Sequence, residues 1–197
     1  MVAAVLLAAG SASRFGGAHK LLLPFAGETV VRRATRNLLA SGAVDEVIVV
    51  LGREAAAVRA ELEGLPVRFV ENAAFADGQS GSLRLGAAAA RQSRARAVLV
   101  ALGDQPTVDP EVVRRIVERW REGGAAVVAA EYDDGRGHPV LFDESVFEEL
   151  DAISGDRGGR AVVEAHADRL RLVRVSGAMP PDIDTPEDHA RIAARGA

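Results

Sequence analysis

Four short runs in the first half of the chain are apolar almost without a break: Val2–Ala8, Glu46–Leu51, Val67–Val70 and Ala97–Leu102. A strand with one wet face alternates polar and apolar residues. These runs do not, which suits strands buried on both faces of a parallel sheet. Parallel neighbours need crossover connections. Segments with helical spacing lie between the runs, at Val30–Ala40, Arg53–Leu62 and Ser82–Arg91. This alternation of strand and helix predicts a layered α/β fold.

The second half begins with the clearest helix, Pro110–Arg121. Asp109 stands at its N-cap, Pro110 at the first helical position and Glu111 at the positive helix end. Val112, Val113, Ile116, Val117 and Trp120 form one apolar stripe, so Trp120 reads as core. A fifth strand follows at Ala125–Ala130, then a turn at Asp133-Asp134-Gly135. Beyond it the expected elements are a strand over Gly137–Phe142, a short helix over Asp143–Leu150, a glycine-rich loop over Ser154–Arg160, a helix over Ala161–Ala167 and a strand over Leu170–Val175. Thr185 caps a final helix, with Asp188 three residues on. No linker, repeat or low-complexity segment interrupts this order. The 197 residues, 48% of them hydrophobic, suffice for one domain with a full core. We expect residues 1 to roughly 130 to form a nucleotide-binding half and residues 131–197 an acceptor-binding half of that domain.

Composition narrows the function classes. There is no cysteine, which removes disulfides, thiolate metal sites and cysteine nucleophiles. The net charge of −4 and the 4% aromatic content argue against a nucleic-acid-binding surface. Val2–Ala9 is apolar but has no basic residues before it, unlike a secretory signal, and no run is long enough to span a membrane. The expectation is a soluble, cytoplasmic protein.

Five segments could carry chemistry. The first, Gly10–Lys20, sits at the carboxyl end of a buried strand, where ligands bind in open α/β sheets. Its small residues let backbone N–H groups approach a phosphate, and Arg14 and Lys20 supply positive charge. It matches neither the Walker lysine loop nor Gly-x-Gly-x-x-Gly, so phosphate loop and plain turn are both open. The second, Gly103-Asp104-Gln105-Pro106, ends an apolar strand in a carboxylate. Asp104 is either a turn residue or a hard oxygen ligand for Mg²⁺, which keeps phosphate and water as its other ligands. The third, Asp182-Ile183-Asp184-Thr185-Pro186, places two carboxylates on one face of an extended segment. They could complete a Mg²⁺ site or support the helix that follows. The fourth, Asn72 with Gly78–Ser82, offers Gln79 and Ser80 to a base edge, or only a helix entry. The fifth combines His138-Pro139 with Ser154–Arg160, a basic, glycine-bearing helix entry able to hold a phosphate or serve as a surface cap. His166 and His189 read as surface residues of helices.

In combination these motifs resemble one family. Leu-Ala-Ala-Gly-x-x-x-Arg at positions 7–14, Lys-Leu-Leu-Leu-Pro at 20–24, Gly-Asp-Gln-Pro at 103–106, Gly-His-Pro-Val-Leu-Phe at 137–142, Gly-Asp-Arg-Gly-Gly-Arg at 155–160 and Asp-Ile-Asp-Thr-Pro-Glu-Asp at 182–188 are similar to the MobA-like nucleotidyltransferases, most of all to the molybdenum cofactor cytidylyltransferases. The resemblance spans residues 2 to 190. It implies a Rossmann-like three-layer α/β/α sandwich with a mostly parallel sheet. It also implies Mg²⁺-dependent transfer of CMP from CTP to the phosphate of a molybdenum-bearing molybdopterin, with release of pyrophosphate.

Roles follow by motif. Ala8, Ala9 and Gly10 border the nucleotide, Arg14 and Lys20 hold its phosphates, and Gln79, Ser80 and Ser82 lie near its base or ribose. Arg14, Lys20 and Asp104 are the implied catalytic set, with Asp104 and Asp184 as metal ligands. His138, Gly155, Asp156, Arg157, Arg160 and Asp182 face the acceptor. Ala9 stands where the guanylyl branch has a second glycine, and its methyl disfavours a purine. His19 stands where that branch has an aspartate. GTP in place of CTP, a sugar phosphate as acceptor, and a non-catalytic role in delivering the cofactor to a molybdenum hydroxylase are the competing readings.

Overall fold

The computed structural model describes residues 1–10, 19–155 and 158–194. Its elements run β1 (Val2–Ala8), β2 (Pro24–Phe25), β3 (Glu28–Thr29), α1 (Val30–Ala40), β4 (Glu46–Leu51), α2 (Ala55–Glu61), β5 (Arg68–Glu71), α3 (Gln79–Gln92), β6 (Ala97–Leu102), α4 (Pro110–Arg121), β7 (Val127–Tyr132), β8 (Gly135–Asp143), α5 (Phe147–Ala152), α6 (Arg160–Ala165), β9 (Leu170–Arg174) and α7 (Pro186–Ala193).

Seven strands form one sheet in the order β5-β4-β1-β6-β8-β7-β9. The pairs β5–β4, β4–β1, β1–β6 and β7–β9 are parallel, while β8 runs antiparallel to both of its neighbours. The runs that form β1, β4 and β6 are buried on both faces, as their lack of alternation predicts, whereas β5 is an edge strand and only half-buried. Val2, Ala4, Leu6 and Ala8 face a core made with α1, α2, α4 and α7. Ala3, Val5 and Leu7 face a second core made with α3, α5 and α6. Each fully buried Val or Leu contributes about 1.5–3 kcal/mol, so these two cores hold helices on both faces of the sheet. Helix α3 comes closest. Its buried face is alanine-rich, and a Cβ at Gly86 would overlap the side chain of Val5.

Helices α1 and α4 have the expected bounds, and Asp109 Oδ1 caps α4 by accepting from the Glu111 N–H at 2.8 Å. Helix α7 begins with a full capping box between Thr185 and Asp188. Trp120 is only partly buried, and its indole N–H donates to Asp143 at 2.8 Å. Other elements shift. Helix α2 starts at Ala55, two residues late, because Glu54 takes a left-handed conformation at φ 55°. Helix α3 starts at Gln79, three residues early, after Gly78 turns the chain at φ 105°. The stretch expected as one helix over Asp143–Leu150 divides into a 3-10 turn, Glu144–Val146, and α5.

Candidate active site

The strands β5-β4-β1-β6 reproduce the order 3-2-1-4 of doubly wound sheets, in which the crevice between the two central strands' carboxyl ends is the ligand site. Three chain segments meet there. The first follows β1 and returns at the 3-10 turn Lys20–Leu22, which buried Leu21 anchors. The second follows β6. Gly103 N–H donates to the Leu7 carbonyl at 2.9 Å, and a Cβ on Gly103 would lie 3.1 Å from that oxygen. The close approach turns the chain over the sheet edge and presents Asp104. The third is the segment before α7. The Ile183 side chain is fully buried, and its N–H donates to the Asp104 carbonyl at 3.1 Å.

These segments bring one cation to two anions. Lys20 Nζ lies 2.5 Å from Asp104 Oδ2 and 2.9 Å from Asp184 Oδ1. The lysine side chain is only 12% exposed. Burial works against its charge, but Asp104 and then Asp184 outweigh burial, so the ammonium titrates above its ordinary range. Asp182 is displaced upward, first by burial and then by the charge of Asp104. Among the described residues no group of three His, Asp or Glu side chains could hold a metal ion. Asp104 and Asp184 converge on the Lys20 ammonium, which occupies the point their oxygens share. A divalent ion held by the two carboxylates would take that place from the ammonium and need phosphate or water for its other ligands, as Mg²⁺ does.

Two cavities open beside this cluster. One, of about 290 Å³, is lined by Ala9, Gly10, Lys20, Phe75, Ser82 and Asp104 among others. The other, of about 590 Å³, includes Arg136, His138, Phe142, Arg160, Met179 and Asp182. Leu7, Gln79 and Leu102 line both, so they form the seam. Gln79 reaches that position because α3 starts early and carries it in the first turn.

His138 reaches the larger cavity through a bulge. Ala129 pairs with Val140 and Ala130 with Gly137, so His138 and Pro139 have no counterparts on β7. The Tyr132 hydroxyl holds the bulge by donating to the His138 carbonyl at 2.9 Å. Burial pulls the His138 imidazole below its usual range, with Asp104 offsetting part of the effect, so the ring is neutral at pH 7.

The residues singled out from sequence therefore divide. Ala9, Gly10, Lys20, Ser82 and Asp104 line the smaller cavity, His138, Arg160 and Asp182 the larger one, and Gln79 both. Ala8 is buried and lines neither cavity. Ser82 accepts from Asn72 Nδ2 at 2.9 Å. Ser80 turns away from the smaller cavity and donates its hydroxyl to the Gly155 carbonyl. Arg14, Asp156 and Arg157 lie outside the described residues. His19 is 5% exposed, and neither ring nitrogen has a hydrogen-bond partner among the described residues. Phe75 and Arg136 line the cavities but belong to none of the five segments, and Gln105, inside Gly-Asp-Gln-Pro, has no role assigned from sequence. Arg136 directly precedes the Gly-His-Pro motif and Gln105 stands within its own, so proximity to a motif is the signal available for both.

Residues 4–170 match the family model described as the MobA-like NTP transferase domain. The chain is 34% identical to the nicotine blue oxidoreductase of Paenarthrobacter nicotinovorans, over 97% of this chain and 96% of that protein. It is 37% identical to the 2-C-methyl-D-erythritol 4-phosphate cytidylyltransferase of Saccharopolyspora erythraea, over 87% of this chain and 70% of that enzyme. Among solved structures, Rv0371c of Mycobacterium tuberculosis H37Rv superposes with a TM-score of 0.87 at 33% identity, covering 98% of this chain and 97% of that one. A further structure of Rv0371c is a complex with manganese. With this match and with nucleotidyltransferase topology around a lysine–aspartate cluster, the chain belongs to the MobA-like NTP transferase family.

Proposed function

We propose that this protein transfers CMP from CTP to the phosphate of a molybdopterin-type acceptor and releases pyrophosphate. The observation that carries the proposal is the Lys20–Asp104–Asp184 cluster beside two cavities that share a wall. A nucleotide in the smaller cavity and an acceptor in the larger one meet at that seam.

Transfer of a nucleotidyl group needs positioning and charge neutralisation more than a covalent nucleophile. An oxygen of the acceptor phosphate, already ionised at neutral pH, attacks the α-phosphorus. The bond from that phosphorus to the bridging oxygen breaks, and pyrophosphate leaves with the electron pair. Lys20 is a fixed positive charge for the phosphates, and Arg14 adds a second. A divalent ion held by Asp104 and Asp184 would supply further stabilisation of the same charge. His138, whose imidazole burial keeps below its usual range, offers the acceptor a hydrogen bond. Arg160 and Arg136 add positive charge on the acceptor side.

Two features support the finer assignments. Ala9 puts a methyl group, rather than a bare glycine backbone, on the wall of the smaller cavity. That wall favours the smaller pyrimidine base, and a cytidylyltransferase is among the full-domain relatives. The larger cavity has apolar walls from Leu83, Val100, Phe142, Val163 and Met179, which suit a flat heterocycle better than a sugar's ring of hydroxyls.

The test is pyrophosphate release with Mg²⁺, each nucleoside triphosphate, and either molybdenum-bearing molybdopterin or a panel of sugar phosphates. Release with CTP and molybdopterin is expected. Release with GTP alone overturns the base assignment, and release with a sugar phosphate alone overturns the acceptor. Because a relative of equal length is a nicotine blue oxidoreductase, the panel includes nicotine blue with a reduced nicotinamide dinucleotide. Bleaching of the dye without any pyrophosphate release overturns nucleotidyl transfer altogether.

A further inference from the structure

Gln105 follows the cluster aspartate, yet its amide donates to neither that carboxylate nor any group of the lysine pair. The residue is 2% exposed and lines the larger cavity. The amide nitrogen donates to the Pro180 carbonyl at 3.0 Å and to Asp182 Oδ1 at 2.8 Å, so both of its hydrogens are engaged. Those partners lie 75 and 77 residues away in sequence. The amide oxygen is buried and has no partner among the described residues.

An orphaned buried carbonyl carries a desolvation penalty that an apolar side chain of similar volume would not. Against that penalty stand two hydrogen bonds, one of them to a carboxylate, whose acceptors an apolar side chain would leave without a donor. The same bonds set geometry. The segment before α7 enters the site as extended chain, outside any strand or helix. Besides the buried Ile183 side chain, its hydrogen bonds to the end of β6 among the described residues are the Ile183–Asp104 backbone bond and the two Gln105 bonds. Asp182 stands close to two other carboxylates that repel it, and the Gln105 amide is the neutral donor that holds it against them. Gln105 is itself set from behind, because Asn37 Nδ2 donates to the Pro106 carbonyl at 2.9 Å and fixes the turn.

We propose that Gln105 is a positioning residue that registers the Pro180–Asp184 segment on the end of β6, so that Asp182 forms a fixed wall of the acceptor cavity. The assignment of that cavity to the acceptor rests on the function proposed above, whereas the registration does not.

The test uses the full chain with Gln105→Leu and Gln105→Glu and reads two quantities. In hydrogen exchange, protection of the Ile183 amide should fall by about tenfold or more in both variants while the Leu99 amide in β6 is unchanged. In kinetics, the KM for molybdopterin should rise by about tenfold while that for CTP stays within about twofold. The KM split is the readout that a general loss of stability would not give. Unchanged Ile183 protection in both variants overturns the proposal. Equal rises in both KM values overturn the link to the acceptor. If the wild-type protein turns over no molybdopterin, the acceptor reading fails, and the exchange measurement still decides the registration.

Discussion

His19 and Lys20 are neighbours in sequence with opposite fates. Lys20 keeps its charge because two carboxylates surround it. His19 is buried with both ring nitrogens unpartnered among the described residues, and burial pulls its pKa down despite the nearby Glu54. It is therefore a neutral residue of the turn's underside. A buried polar group without a partner contributes less than an apolar one of the same shape. His19→Leu should leave stability at pH 7.5 unchanged or raise it. The pH dependence has a definite sign. The folded-state pKa lies below the unfolded value of about 6.5, so stability is full above that value and falls as pH drops through the folded pKa. Thermal unfolding should show a smaller loss between about pH 7.5 and pH 5 for His19→Leu than for the wild type, with His138 keeping part of the loss. An equal loss in both proteins, or a destabilisation beyond about 2 kcal/mol at pH 7.5, would contradict this account. From sequence His19 could only be compared with an aspartate at the same place in relatives. The residues that act on its ring, Arg53 and Glu54, stand in a different segment of the chain, which no local pattern announces.

At the scale of elements, the strands and amphipathic helices were legible because burial on one or two faces writes a period into the chain. The departures have physical causes outside that period. Polar, glycine-bearing Gly78–Ser82 resembles a loop, yet Gly78 alone makes the turn and the rest is the first turn of α3. That shift carries Gln79 to the seam of the two cavities. The bulge that presents His138 is a register change against β7, held by a tyrosine hydroxyl six residues back in sequence. The start of helix α7 is legible, because a capping box is a local device. Thr185 Oγ1 accepts from the Asp188 N–H at 3.1 Å, and Asp188 Oδ2 accepts from the Thr185 N–H at 3.1 Å. Thr185→Ala should cost about 1 kcal/mol in chemical denaturation. A cost below about 0.3 kcal/mol would mean the cap adds nothing to the folded state.

At the scale of the whole molecule, the site is assembled from segments far apart in the chain. The open parallel sheet brings the ends of β1 and β6 together, the antiparallel β8 delivers His138 to the same edge, and the extended segment before α7 returns with Asp182 and Asp184. The motifs identified the residue types. The pairing of Lys20 with Asp104 and Asp184 spans 84 and 164 residues and exists only in the fold. The division into two cavities with a shared wall is likewise a property of the packed chain. The central claim is that this cluster is where a nucleotidyl group changes hands. The direct measurement follows the label from CTP carrying radioactive α-phosphate in the presence of Mg²⁺ and molybdopterin. The account predicts label on the pterin in step with pyrophosphate release, and a rate lower by about 10²-fold in Asp104→Asn, with the fold retained by circular dichroism at the assay temperature. Label that never reaches the acceptor, or an Asp104→Asn protein that transfers it at the wild-type rate, would contradict it.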